Sequence, residues 1–351
     1  MPAPPRRPSG LPSGLLDRFG RQATDMRLSV TDKCNLRCTY CMPAEGLKWL
    51  PKQAVMTADE IVRIVGIGVD LLGVRELRLT GGEPLVRTDL IDIIGALRER
   101  HPDLPISITT NGVGLDNKAH ALKEAGLTRI NVSLDSLHEE TFAKLTRRPF
   151  LDKVLAGVDA AQAAGLGPIK INAVLMRGIN DTEAAGLLAW ALQRSHELRF
   201  IEQMPLDADH GWSRRAMITA AEIRELLSKE CFLGPDPRTR DGAPAERFQV
   251  RQRDPAGSEA AGPVLGTVGI IASVTEPFCS DCRRTRITAE GKIMSCLFSR
   301  EEFDLLGLLR QGADDDDLAR RWQDAMWVKP RAHGMDHTGW EPKTLSSQNA
   351  A

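Results

Sequence analysis

The sequence predicts an α/β fold, a partial TIM-like (β/α)6 barrel followed by a smaller C-terminal domain. Three observations lead there. Between residue 26 and about residue 230, short β-rich runs alternate with longer helical patterns, which implies a parallel sheet. Each run carries polar side chains at alternate positions, as strands around a polar lumen would. From 232 to 264 the chain turns rich in Pro, Gly, Asp and Arg, which reads as a loop-rich boundary dividing the protein into 1–235 and 236–351.

The strand runs are MRLSVT, ELRLTG, ISITTN, RINVSLD, IKINAVLM and LRFIEQM. Right-handed crossovers curl such a sheet toward a barrel, and six units where about eight would close it leave one side open. Among the helices, TADEIVRIVGIGVDLL begins with Thr57 as N-cap and Glu60 three residues later, and TDLIDIIGALRER is expected to open at Thr88. A last helix is expected to start in the acidic run Asp314 to Asp317, which suits the positive end of the helix dipole.

Parallel strands covered on both faces are normally continuous Val, Ile and Leu. Here one face is polar throughout. Arg27, Ser29 and Thr31 share it on the first strand, Arg78 and Thr80 on the second, and Ser107, Thr109 and Asn111 on the third. Asn131, Ser133 and Asp135 follow, then Lys170 and Asn172, then Glu202 with Met204. Burying so many polar groups is costly, and a lumen built for a polar ligand accounts for it.

With a formal net charge of -1, nothing in the composition drives binding to nucleic acid or a membrane. No apolar run reaches the roughly 18 residues of a membrane span, so a cytoplasmic protein is expected. An anionic substrate must be met by local positive charge.

Six of the seven cysteines form two tight groups, Cys34, Cys38 and Cys41, then Cys279, Cys282 and Cys296; only Cys231 stands alone, with no legible role. Such clustering points to metal or redox chemistry rather than disulfides. The first group is C-x3-C-x2-C in a loop after the first strand. Three thiolates there can hold three irons of a [4Fe–4S] cube and leave the fourth open. That vacancy is what S-adenosylmethionine (SAM) chemistry requires, since the methionine amino and carboxylate groups chelate the iron and an electron then releases a 5′-deoxyadenosyl radical. Structural zinc, by contrast, is usually four-coordinate, and this loop has no fourth Cys or His. The second strand ends in Gly81, Gly82, Glu83 and Pro84, where two glycines allow close backbone approach to a ligand.

The C-x3-C-x2-C loop and GGEP resemble the radical SAM superfamily, whose fold is a partial (β/α)6 barrel. The second group, CSDCRRTRIT followed by Cys296, again offers three thiolates, with Arg283, Arg284 and Arg286 beside them supplying charge. A second [4Fe–4S] cluster would leave an iron open for substrate; zinc with a remote ligand such as His210 or His333 stays open as an alternative. Guanidinium forks suit phosphate, and Arg27, Arg78 and Lys170 add cations from the lumen.

Over nearly the full chain, TDKCNLRCTYCMP, RLTGGEPLVR, TTNG, RINVSLDS, KINAV, FIEQMP and CSDCRRTRIT resemble the GTP 3′,8-cyclase family of molybdenum cofactor (molybdopterin) biosynthesis. The resemblance implies a lyase that removes hydrogen from ribose C3′ of GTP so that this carbon attacks guanine C8. It implies that Cys34, Cys38 and Cys41 hold the SAM cluster and that Tyr40, Gly82, Ser133 and Met204 contact SAM. It implies that Arg27, Arg78, Thr109, Lys170, Arg284 and Arg286 bind GTP, Arg27 being the catalytic position, and that Cys279, Cys282 and Cys296 hold the second cluster. The family pattern ends in a Gly-Gly tail that reaches the active site, whereas this chain ends in SSQNAA, which bears on cyclisation more than on GTP binding.

Two other readings compete: a radical SAM enzyme with an auxiliary cluster acting on a peptide, which would not need the arginines to converge, and a metal-binding interaction protein, which would need neither GGEP nor a polar lumen. Expected partners are GTP, a reducing electron donor and the next enzyme of the molybdopterin pathway, with a homodimer as the default assembly.

Overall fold

In the computed structural model the described residues are 5–207, 211–253 and 262–335. Six β/α units come first. The strands β1 (Asp25–Ser29), β2 (Glu76–Thr80), β3 (Ile106–Thr110), β4 (Arg129–Ser133), β5 (Lys170–Leu175) and β6 (Glu197–Glu202) pair in parallel in chain order. Between them run α1 (Ala58–Asp70), α2 (Leu90–Arg100), α3 (Ala119–Glu124), α4 (Glu139–Thr146), α5 (Leu151–Ala163) and α6 (Ala184–Gln193). The barrel expectation holds, and the sheet does not close on itself.

Local chemistry sets these boundaries. Thr57 and Glu60 cap α1 reciprocally, the Glu60 amide donating to Thr57 Oγ1 at 3.3 Å and the Thr57 amide to Glu60 Oε2 at 2.8 Å. The second helix departs from expectation: it begins at Leu90 after Asp89, not at Thr88, and Asp89 does not cap it because its carboxylate is held by Arg87 at 2.7 Å. Outward-pointing residues of the strands, such as Met26 and Leu28, Ile106 and Ile108, or Leu198 and Phe200, pack under the helices. The alternate face looks into the lumen.

Beyond β6 come α7 (Ala220–Ser228), β7 (Cys231–Pro235), β8 (Glu246–Gln252) and β9 (Val264–Ile271). The stretch predicted as a loop-rich boundary therefore contains strands, because Phe248 and Val250 alternate with polar residues and supply a β pattern among the turn formers. The sheet runs on across the expected division at 235/236: β7 pairs with β8, β8 with β9, and β9 lies parallel to β6. At the other edge β10 (Arg284–Ile287) lies parallel to β1 and carries β11 (Lys292–Met294) and β12 (Phe303–Asp304), giving a 12-stranded sheet. Two helices follow, α8 (Leu306–Arg310) and α9 (Asp315–Trp327), the latter capped by Asp314, which accepts the Asp317 amide at 2.8 Å. Trp322 of α9 is fully buried and donates its indole N–H to Thr285 Oγ1 at 2.8 Å, fastening the C-terminal segment to β10.

Candidate active site in the barrel lumen

The loop from Thr31 to Met42 leaves the top of β1 and is pinned from below. Its Arg37 and Thr39 amides donate to Thr146 and Leu145 at the end of α4. Arg147, in the left-handed region at φ 55°, sends its guanidinium back to the carbonyls of Arg37 and Met42. Within this frame Cys34, Cys38 and Cys41 feel one another's charge. Burial raises all three thiols, Cys34 to about 11 and Cys41 to about 12, and the neighbouring thiols push Cys38 and Cys41 further up. Three half-buried thiols that would repel as thiolates fit a cationic multinuclear centre that would neutralise them. Among the described residues no three His, Cys, Asp or Glu side chains converge on one single-ion site, as a zinc reading would want.

Tyr40 points inward and donates its hydroxyl to Asp135 Oδ2 at 2.6 Å. Asp135 also accepts the Val174 amide at 2.8 Å, yet burial still pushes its carboxyl up to about 6. Sequence reasoning placed Asp135 on the lumen face and missed this bond, which only the fold brings about.

The two glycines that follow β2, Gly81 and Gly82, serve the loop itself as well as the cavity. A Cβ on Gly81 would lie 2.4 Å from the Thr31 carbonyl oxygen, and one on Gly82 would lie 2.3 Å from that of Lys33. Only glycine lets β2 pack there, and the Gly82 and Glu83 amides donate to those same carbonyls. Glu83 is wholly buried and takes the Leu85 amide, the Thr110 hydroxyl and the Asn111 amide, so it ties β2 to β3 beneath the cysteine loop. Burial nevertheless raises its carboxyl to about 7.

Lower in the lumen, strand register lines up cations. Arg286, Arg27 and Arg78 occupy one row on β10, β1 and β2. Asp25 sits 3.5 Å from Arg27 and offsets part of this charge. Burial depresses Arg286 to about 9 and its arginine neighbours add to the effect. Arg199, absent from the sequence-based set, donates to Asn131 Oδ1 at 2.6 Å and is depressed to about 10, first by burial. Its signal was available: in ELRFIE the polar positions 197 and 199 alternate with buried Leu198 and Phe200. Glu202 and Met204 both line the cavity, though not as the strand face that Arg199 occupies, because β6 ends at Glu202 and the alternation stops. Glu202 is instead a buried clamp, accepting the amides of Ala220, Val274 and Thr275 and the Thr275 hydroxyl.

The second triad lies opposite. Cys279, Cys282 and Cys296 come from the loop before β10 and the segment after β11. Burial works against the Cys282 thiolate, but Arg284 and Lys329 override it and bring the thiol down to about 6. Arg284 also lies over the Phe278 ring, 4.7 Å from its centroid. Arg283 does not join them: it faces outward and pairs with Asp241 and Asp281, since β10 alternation sends 284 and 286 inward. His333 lines the same cavity, its Nδ1 accepting the Met335 amide at 3.0 Å. His210 and the SSQNAA tail lie outside the described residues.

One cavity of ≈ 370 Å³ collects Arg27, Tyr40, Cys41, Arg78, Gly82, Thr109, Ser133, Met204, Cys279, Cys282, Arg284, Arg286 and Cys296. Cys34 and Cys38 pack against the core. Lys170 is not on the cavity wall; it is paired with Glu197 at 3.1 Å at the foot of β5. A surface depression of ≈ 410 Å³ around Lys292, Asp304 and Arg310 contains none of the cysteines.

The Radical SAM superfamily model matches residues 28–191, and the Molybdenum Cofactor Synthesis C model matches residues 196–335. The chain is 80% identical over 336 residues to a GTP 3′,8-cyclase of Paenarthrobacter nicotinovorans, covering 96% of this chain and 95% of the relative. It is 54% identical to the GTP 3′,8-cyclase of Rhodococcus opacus, covering 95% of this chain and 91% of that one. Among solved structures, Streptococcus suis SuiB bound to S-adenosylmethionine aligns with a TM-score of 0.57 at 15% identity, covering 84% of this chain and 66% of SuiB, which is a likeness of fold. One arginine-lined cavity that carries Cys41 of the first cysteine group and all three cysteines of the second, together with this identity along nearly the whole chain, places the protein in the GTP 3′,8-cyclase family of radical SAM proteins.

Proposed function

We propose that the chain is a cytoplasmic GTP 3′,8-cyclase that converts GTP to 3′,8-cyclo-7,8-dihydro-GTP in the first step of molybdenum cofactor biosynthesis. The observation that carries this reading is the row Arg286, Arg27 and Arg78 on the wall of the cavity that also carries Cys41 and the second cysteine group, because adjacent guanidinium groups favour an anion of high charge. A triphosphate supplies such an anion, and an uncharged peptide does not.

Cys34, Cys38 and Cys41 would hold the cluster that binds SAM, and Cys279, Cys282 and Cys296 a second one. When bound, the first cluster and SAM supply the radical that takes hydrogen from ribose C3′. The chain's own residues do the rest by positioning. Tyr40, fixed by Asp135, walls the upper cavity beside Ser133 and Met204, while Arg284 and Arg286 reach from β10 toward substrate held at the second triad. Glu202 locks the loop that carries Cys279 and Cys282 to the end of β6 and so fixes the two triads relative to each other.

Anaerobic reconstitution should give about eight irons per chain, from two four-iron clusters. Alanine at Cys34, Cys38 or Cys41 should abolish SAM cleavage; alanine at Cys279, Cys282 or Cys296 should leave uncoupled cleavage and stop cyclisation. Equal loss of cleavage in both sets would overturn the assigned roles.

A further inference from the structure

Immediately after α9, Lys329 turns its side chain back under the second cysteine loop. It is 2% exposed, and its Nζ donates to the carbonyls of Cys282 at 3.0 Å and Arg284 at 2.8 Å. Among the described residues it forms no ion pair with any carboxylate; the anionic groups it senses are the thiolates of Cys282 and Cys296. The neighbouring cation differs in this respect. Arg21, which holds the Cys279 carbonyl at 2.6 Å, is neutralised by Asp17 at 2.6 Å. A buried ammonium without a carboxylate is unfavourable unless something else carries its counter-charge. The fold thus presents one uncompensated positive charge against two of the three thiols of the second triad.

We infer that Lys329 is the resident charge partner of the iron–sulfur group held by Cys279, Cys282 and Cys296 and that it raises that group's reduction potential. The inference rests on the reading of the second triad as a cluster site. One-electron reduction adds one negative charge to such a group, so a fixed cation at this distance stabilises the reduced form more than the oxidised form. The two carbonyl hydrogen bonds, to Cys282 itself and to Arg284 two residues on, hold the ammonium in place.

The test uses the full-length chain carrying Cys34→Ala, Cys38→Ala and Cys41→Ala, reconstituted with iron and sulfide, so that only the second cluster is read. Its midpoint potential is measured by EPR-monitored titration with Lys329 and with Lys329→Arg, Lys329→Gln and Lys329→Met. Lys329→Arg should stay at the parent value, whereas Lys329→Gln and Lys329→Met should move to more negative potential at equal iron content. If Lys329→Met loses the iron, loss by Lys329→Gln with retention by Lys329→Arg equally supports a requirement for charge. Parent potential in iron-loaded Lys329→Gln overturns the inference and leaves Lys329 as a brace. Loss of iron by all three variants overturns it too. No iron in the triple-cysteine parent overturns the second-cluster reading itself.

Discussion

Arg27 and Arg78 stand directly opposite each other across the β1–β2 ladder, and Arg286 holds the same row on the far side of Arg27. Like charges at neighbouring positions of a sheet oppose folding, and here Asp25 is the nearest carboxylate to Arg27. Arg78→Met should therefore leave the melting temperature of the ligand-free protein unchanged or higher, while weakening GTP binding by roughly 1.5–3 kcal/mol for a lost charge-assisted bond. Thermal unfolding and calorimetry on the same preparations check both halves.

Tyr40 and Asp135 tie two walls of the cavity together at the proposed SAM site. Tyr40→Phe removes the hydroxyl and leaves Asp135 Oδ2 buried without its donor, which should destabilise the fold by about 1–3 kcal/mol and lower SAM affinity with little change in GTP affinity. Denaturant titration and separate SAM and GTP isotherms would show it.

Glu83 gives the protein a pH dependence with a definite sign. Burial raises its carboxyl from 4.5 to about 7, so between those values the folded chain keeps a proton that the unfolded chain has released. Stability of the metal-free protein should fall as pH rises through that window, by an amount on the order of 3 kcal/mol, and level off above it. Asp135, raised by burial to about 6, acts in the same direction. Glu83→Gln should flatten the dependence of the urea midpoint on pH between about 5 and 7, whatever its constant offset.

The parts of the site that were legible in sequence obey local rules. Cysteine spacing fixes the triads, and two-residue alternation puts Arg27, Arg78 and Thr109 on the lumen face. What was illegible depends on pairs far apart in the chain. Asp135 bonds a tyrosine 95 residues away, and Lys329 reaches Cys282 across 47 residues. Arg283 was misread because a run of arginines looks uniform until strand pairing decides which of them face inward. The β7–β8 hairpin was hidden because its few alternating apolar residues are outnumbered by turn formers.

Glu202→Gln tests whether the clamp between β6 and the second cysteine loop matters to coupling. The carboxylate accepts only, so an amide would set N–H against the donors of Ala220, Val274 or Thr275. Iron content should hold while the ratio of 5′-deoxyadenosine to cyclised product rises several-fold, since displacement by about 1 Å suffices to spoil a reactive geometry. An unchanged ratio in a fully loaded variant would make Glu202 purely structural.

Lys170 and Glu197 form an ion pair whose part in substrate binding a double-mutant cycle tests. Lys170 sits beside Asn131 and Glu197 in one row at the foot of the lumen, paired with Glu197 rather than directed at the cavity. Burial lowers its pKa, and the Glu197 carboxylate opposes that shift. If Lys170 serves a phosphate, Glu197 competes with the substrate for it, and the two substitutions should act in opposite directions. Glu197→Gln should tighten GTP binding by roughly 0.5–1 kcal/mol, the scale of a partly exposed ion pair. Lys170→Ala should weaken it by roughly 1.5–3 kcal/mol. In the double variant the benefit of Glu197→Gln should vanish, because it acts only through the freed ammonium. Calorimetric titration of GTP into the four cluster-loaded proteins decides the matter: additive effects, or no loss in Lys170→Ala, would make the pair a structural tie between β5 and β6 and remove Lys170 from the substrate site.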